Sequence, residues 1–316
     1  MFSSDVSNTN ILYSSINPWF VTGLVDAEGS FSFSVYKNKK ARLGWTISPR
    51  FNITMSKRDS ILIKQIKEFF KVGIYKESES YCYFDVNSIQ DLQLVIEHFH
   101  RYPLQSSKRN MFNIFVILFN MFKCKEHLTH KGIMLSLTYI NALNSNINQT
   151  VLNEIATQNN LGSLPLLILP PVPIISKWII PNPWWITGFV LGEGSFTFFK
   201  RKRITSSGIL KLDYTLVFEV SQKTEDIYLL EAMKVYFSSG GIFTEKRGMS
   251  RFRITNIKAL QHIVLPFFSL YPLKGYKNNQ FNIWLEALSV ILSNPSWTKE
   301  REEWLSTIFN KLSNLK

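Results

Sequence analysis

A chain of 316 residues, 45% of them hydrophobic, can fill one large core or two modest ones. Its 36 Lys and Arg against 23 Asp and Glu leave a formal charge of +13, shared by both halves, so a basic folded body facing an extended polyanion is expected rather than a basic tail. Two cysteines, Cys82 and Cys124, exclude a disulfide framework and fit a reducing compartment.

Nothing at the start resembles a secretory signal, because Met1–Asn10 is polar. A membrane span is not expected either: Phe112–Phe122 is too short, and Leu164–Ser176 carries four prolines. The chain is rich in Asn, Ile, Lys and Phe, whose codons are AT-rich, which points to an organellar genome.

In chain order, the first predicted element is a helix over Pro18–Glu28, with Pro in its first turn and Gly29 as a left-handed cap. A strand follows in which Ser30, Ser32, Ser34 and Tyr36 face one way and Phe31, Phe33 and Val35 the other. The next strand sets Trp45, Ile47, Phe51 and Ile53 against Thr46, Ser48, Arg50 and Asn52. Leu62, Ile66, Phe69 and Phe70 mark one face of a helix. A hairpin over roughly Gly73–Val86 and helices from Ile89 to about Asn144 complete the half, with the apolar run Met111–Phe122 as core.

The chain then repeats itself. Asn17–Phe33 (NPWFVTGLVDAEGSFSF) and Asn182–Phe198 (NPWWITGFVLGEGSFTF) share eleven of seventeen positions at a constant offset of 165. Phe51-Asn-Ile-Thr matches Phe218-Glu-Val-Ser, and Tyr102-Pro-Leu-x-x-x-Lys108 matches Tyr271-Pro-Leu-x-x-x-Lys277, in the same order. The second copy is expected to run through a helix at Pro183–Glu193, strands near 195–202 and 210–222, a helix near 225–237, a hairpin near 241–255, then helices ending in an amphipathic one near 300–312. Six of the twelve prolines fall between Pro165 and Pro183 and read as a semi-rigid connector. The resulting division is 1–160, a linker at 161–181, and 182–316. The fold class is α+β, with two pseudo-symmetric units whose sheets have one apolar face under helices and one polar face exposed.

The repeated helix carries the chemistry. Gly23 and Ala27, like Gly188 and Gly192, are small residues four apart, a spacing that lets two helix backbones pack closely about a pseudo-two-fold axis. Each helix ends in a glutamate, Glu28 or Glu193, at the negative end of its dipole. Side by side, the two carboxylates also repel. A divalent cation resolves both problems, and oxygen ligands favour Mg²⁺, with Ca²⁺ or Mn²⁺ as substitutes. Basic charge, paired carboxylates and a hard metal together suggest phosphodiester hydrolysis, with Lys108 and Lys277 placed to neutralise transition-state charge. His127 and His130 have no partners for a zinc site.

Val21-Thr-Gly-Leu-Val-Asp-Ala-Glu-Gly29 and Ile186-Thr-Gly-Phe-Val-Leu-Gly-Glu-Gly194 resemble the two motifs of monomeric LAGLIDADG homing endonucleases, and segments such as Lys125-Glu-His-Leu128 resemble the fungal mitochondrial, intron-encoded branch. The resemblance covers nearly the whole chain. It implies an αββαββα unit used twice, joined through the motif helices, with a saddle of antiparallel sheets over the DNA major groove. It implies a metal-dependent endonuclease that cuts both strands of a long, non-palindromic site and leaves 3′ overhangs. Metal ligands would be Glu28, Glu193 and the carbonyls of Ala27 and Gly192; Gln222 would order water, although Met55 stands at the matching place in the first copy. Leu191 replaces the acidic residue present as Asp26, which is expected to be structural.

The polar sheet faces would read the DNA, since Arg, Asn and Ser recognise base edges. In the first half these are Ser30, Ser32, Ser34, Tyr36, Asn38, Lys40, Thr46, Ser48, Arg50, Asn52, Lys76, Tyr83 and Asp85. The second half offers Ser195, Thr197, Phe199, Arg201, Arg203, Lys211, Asp213, Thr215, Glu219, Ser221, Thr244, Lys246, Arg251 and Arg253. The expected partner is double-stranded DNA, bound by a monomer in the mitochondrial matrix without a membrane or an obligate protein partner. A maturase that binds intron RNA on the same fold is the alternative.

Overall fold

The computed structural model describes residues 16–143, 149–160, 178–204, 208 and 210–315. Most of the Pro-rich connector and the N-terminal Met1–Tyr13 segment therefore lie outside the described residues. The first half runs α1 (Pro18–Glu28), β1 (Gly29–Lys37), β2 (Trp45–Ser56), α2 (Ser60–Phe70), β3 (Ile74–Glu77), β4 (Tyr81–Val86) and α3 (Ile89–Arg101), followed by α4 (Lys108–Lys123), α5 (His130–Leu143) and α6 (Gln149–Gln158). The second runs α7 (Pro183–Glu193), β5 (Gly194–Ile204), β6 (Leu210–Lys223), α8 (Ile227–Phe237), β7 (Gly241–Glu245), β8 (Met249–Ile254), α9 (Ile257–Ala259), a π-helical segment (Leu260–Val264) and α10 (Leu265–Leu270). It ends with α11 (Gly275–Ser293) and α12 (Lys299–Ser313). Short 3₁₀ turns, Lys57–Asp59 and Thr224–Asp226, lead into α2 and α8.

Each half holds one antiparallel four-stranded sheet, ordered β1-β2-β4-β3 in the first and β5-β6-β8-β7 in the second. Alternation decides the faces. Phe31, Phe33, Phe51 and Phe84 turn under the helices, where Phe99, Phe112 and Phe115 meet them edge-on or tilted. Phe196, Phe218, Phe268, Phe281 and Trp284 repeat the arrangement. Each such ring, fully buried, contributes roughly 1.5–3 kcal/mol. The helix α6, which periodicity did not predict, adds Leu152 and Ile155 to this core, and its Gln158 accepts a hydrogen bond from the Trp45 indole at 2.9 Å.

The two halves meet along α1 and α7. Both helices start alike: Asn17 caps Trp19 N at 2.9 Å, and Asn182 caps Trp184 N at 3.0 Å. Their contact is backbone against backbone. A methyl group on Gly23 would collide with the Trp185 carbonyl, and one on Gly188 with the Phe20 carbonyl. Buried Thr22 and Thr187 turn outward from the seam and donate to the Tyr102 and Tyr271 carbonyls at 2.9 and 3.1 Å.

One expectation is corrected. Gly29 and Gly194 are not left-handed caps; their φ values are −79° and −89°, and each helix runs straight into a strand. Glycine is required there by crowding, because a Cβ would lie 2.9 Å from the Val25 carbonyl oxygen in one copy and 2.6 Å from that of Val190 in the other. Thus Gly23→Ala is expected to lower unfolding stability by about 1–3 kcal/mol through overpacking, measured by urea denaturation. An unchanged midpoint would contradict backbone contact at the seam.

Candidate functional site

Glu28 and Glu193 emerge at the same end of the seam, one from each helix. They are close neighbours: a Cβ on Gly192 would sit 2.8 Å from Ala27 Cβ and 3.0 Å from Glu28 Cδ, so the glycine leaves room for the opposing carboxylate. Both glutamates have raised pKa values. Burial is the main cause for Glu28, opposed by Lys108 and Lys277. Burial and then the charge of Glu28 push Glu193 up to about 7, with Lys108 opposing.

The lysines reach the pair from α4 and α11. Lys108 Nζ donates to the carbonyls of Val25 at 3.1 Å and Ala27 at 2.8 Å, while Lys277 Nζ donates to Gly194 at 2.7 Å. A cation there adds a hydrogen bond to carbonyls at the helix ends and offsets the negative dipole end that the glutamates aggravate. Burial lowers both lysine pKa values, and the surrounding carboxylates oppose the shift.

The donor set suits a hard divalent ion. Two carboxylates whose charged forms are disfavoured where they stand, with room left by Gly192, are what such an ion relieves. The Ala27 carbonyl already accepts from Lys108, which leaves it one lone pair. Among the described residues no group of three or more His, Cys, Asp or Glu converges, so the pair would need carbonyl, phosphate or water oxygens to complete a shell. His127 stacks on Phe122 at 4.0 Å.

Beside Glu28 opens a cleft of about 530 Å³ lined by Ser30, Asn52, Thr54, Met55, Ser56, Asp59, Tyr81 and Leu191. Thr54 and Tyr81 were missed by sequence reading, although Thr54 merely continues the alternation of β2. Met55 lines the cleft, whereas its counterpart Gln222 is buried with Oε1 accepting from Lys223 N at 2.8 Å.

Asp26 is buried and structural in its bonding. It accepts from the backbone of Gln105 and Ser106, from Ser106 Oγ at 2.6 Å, and from the Trp185 indole across the seam at 2.7 Å. Burial raises its pKa and these bonds oppose the rise. In the second copy Leu191 takes the place of Asp26 and Gly275 that of Ser106, and in the first copy Phe20 stands where the second has Trp185. The whole contact is replaced together.

The exposed sheet faces carry most of the residues expected there. Ser30 and Ser32 alternate with buried neighbours along β1, and Ser195 and Thr197 do so along β5; Ser34, Tyr36, Phe199 and Arg201 continue the same phase toward exposed strand ends. Thr46, Ser48, Arg50 and Asn52, with Lys76 and Tyr83, lie in register on the first face; Thr215, Ser221, Arg251 and Arg253 lie on the second. Lys40 and Lys246 are exposed in hairpin turns, and Asn38 donates to Thr46 at 2.9 Å. The side chain of Arg203 lies outside the described residues.

Several expected reading residues are otherwise engaged. Asp85 is buried beneath Arg50, which contacts it at 2.6 Å, and Lys76 at 3.7 Å. Glu219 is likewise buried beneath Arg251 at 3.0 Å and Arg253 at 2.5 Å. These acids anchor the arginines. Lys211 lies over the Trp297 ring at 4.1 Å, and Asp213 is 3.8 Å from Arg301. Thr244 is a correction: it pairs with Ser250, itself paired with Gln222, so although exposed it points to the side opposite Phe243 and Arg251. The face residue of β7 is Phe243, half exposed with Arg253 over its ring at 5.3 Å.

A carboxyl whose pKa rises on folding stabilises the fold fully below its ordinary value, 4.5 for Glu193, and loses that contribution as pH climbs through about 7. Chelator-treated protein should therefore show a falling Tm over that interval. Glu193→Gln should flatten the fall, and Mg²⁺ should raise Tm most above it. A Tm profile identical in wild type and Glu193→Gln would rule out this assignment.

Comparison with known proteins follows from this geometry. The family model described as LAGLIDADG endonuclease matches residues 21–119 and 186–288, more than half of the chain. Two curated relatives from Neurospora crassa are each 29% identical: "Probable intron-encoded endonuclease 3" over 94% of this chain and "Probable intron-encoded endonuclease 2" over 98%. The chain spans 54% and 66% of their respective lengths. Among solved structures, "I-SmaMI bound to uncleaved DNA target in the presence of Calcium ions" superposes with a TM-score of 0.83 at 28% identity, covering 94% of this chain and 99% of that one. With two matched motifs, two equivalent sheets and this superposition, the chain belongs to the LAGLIDADG endonuclease family.

Proposed function

We propose that this protein is a site-specific, metal-dependent DNA endonuclease organised as 1–160, a linker at 161–181, and 182–316. The observation that carries the reading is the pair Glu28 and Glu193, held together by a seam with no side chains between Gly23 and Gly188. A binding protein has no use for two adjacent carboxylates whose charged forms are disfavoured where they stand. The charge of +13 and the two polar sheet faces support a DNA partner, as does the DNA named with the solved relative.

In this reading Glu28 and Glu193, with the Ala27 and Gly192 carbonyls, hold Mg²⁺. The ion would supply Lewis acidity and a more acidic bound water. Lys108 and Lys277, hydrogen-bonded to carbonyls beside the carboxylates, would place positive charge where the phosphate oxygens gather. The anchored arginines Arg50, Arg251 and Arg253 face the groove with little conformational freedom left to lose. The two faces differ in residue content, so the target is long and not palindromic. Cleavage of both strands with 3′ overhangs, action as a monomer and a mitochondrial matrix location belong to the same reading.

Supercoiled plasmid carrying the uninterrupted insertion site should be linearised with Mg²⁺ and left intact by Glu28→Gln. Because Gln222 has Met55 as its counterpart at the equivalent strand position, the two strands should be nicked at unequal rates, read with strand-specific end labels. Binding of that DNA or of intron RNA without any nicking by wild type would transfer support to the maturase reading.

A further inference from the structure

Two buried aspartates outside the motif helices bridge the halves reciprocally. Asp59 follows β2 and Asp226 follows β6, at equivalent places in the repeat. Each occupies the N-cap position of its own next helix, α2 or α8, yet makes no side-chain cap there. Instead each serves the other half. Asp59 Oδ1 accepts from Tyr276 N at 2.6 Å, in the first turn of α11. Asp226 accepts from Ser107 N at 3.0 Å and Ser107 Oγ at 2.8 Å, at the start of α4.

The bonded residues immediately precede Lys277 and Lys108. The fit is close, because a Cβ on Gly275 would collide with Asp59 Oδ1. A carboxylate at a helix start satisfies donors that have no intrahelical partner and complements the positive dipole end. It thereby fixes where the first turn begins, and with it the origin of a lysine side chain projecting from that turn.

We propose that Asp59 and Asp226 are positioning residues, each fixing across the seam the helix start from which the other half's site lysine reaches the paired glutamates. Asp59 sets Lys277, and Asp226 sets Lys108. The proposal rests on the reading of both lysines as site residues. It makes each lysine dependent on both halves: the helix is native to one, the clamp to the other.

The test begins without DNA or metal, by amine labelling of the full chain with acetic anhydride and peptide mass spectrometry. Asp59→Ala should raise labelling of Lys277 severalfold and leave Lys108 unchanged; Asp226→Ala should do the reverse. Equal increases at both lysines, or none at either, overturn the proposal. Should the alanine variants lose their circular dichroism signal, Ser107→Ala removes only one of the two bonds to Asp226 and should raise labelling at Lys108 alone; wild-type labelling there overturns the proposal. In a nicking assay, Asp59→Ala combined with Lys277→Met should be no slower than Lys277→Met, while Asp59→Ala combined with Lys108→Met should be slower than either single variant. Additive losses in both pairs count against it. If wild type cuts no target, the nuclease reading fails while the labelling result still decides the positioning role.

Discussion

Everything at the centre of this molecule depends on the absence of side chains between two helices. Gly23 and Gly188 bring the α1 and α7 backbones into direct contact. That approach sets the separation of Glu28 and Glu193, since both emerge from the last turn of those helices. Desolvation then raises both carboxyls, and the charge of Glu28 raises Glu193 further. Lys108 and Lys277 answer part of that cost by binding carbonyls near the same helix ends. The site is thus a local electrostatic excess that the seam creates and that the surrounding cations only partly cancel.

The sheets solve a related problem on a wider scale. Polar faces exposed to solvent would normally be mobile, yet acids buried in the sheets hold their arginines in place. The two halves do this with opposite strand assignments. In the first, the acid is on β4 and the arginine on β2; in the second, the acid is on β6 and the arginines on β8. The same mechanical result therefore presents different chemistry to a bound duplex.

Legibility in the sequence follows the length scale of each cause. The repeat and the Glu-Gly helix ends were readable because two copies of an awkward carboxylate are improbable without a cation. The helix and strand order followed from periodicity and from Asn-Pro starts. Gly29 and Gly194 were misread because a glycine after a helix suggests a left-handed cap, whereas crowding by Val25 and Val190 is visible only in three dimensions. Thr244 was misassigned because the phase of a five-residue strand cannot be fixed when its face residue is Phe243. Asp59 and Asp226 were missed because their partners lie 217 and 119 residues away and each sits where an ordinary local cap is expected. The helix α6 carried too few apolar residues to announce itself, and its role is to complete a core begun elsewhere.

The bond from Trp185 to Asp26 has a consequence for how the chain came to be a single polypeptide. A symmetric pair of first halves would set each Asp26 against Phe20, with no indole to donate. A symmetric pair of second halves would bury two Trp185 indoles against Leu191, with no acceptor. Neither half is a good mate for its own copy, and only the mixed pairing satisfies the donor and the acceptor together. At this contact the halves are complementary parts, not interchangeable copies, and the covalent connection keeps each beside the other.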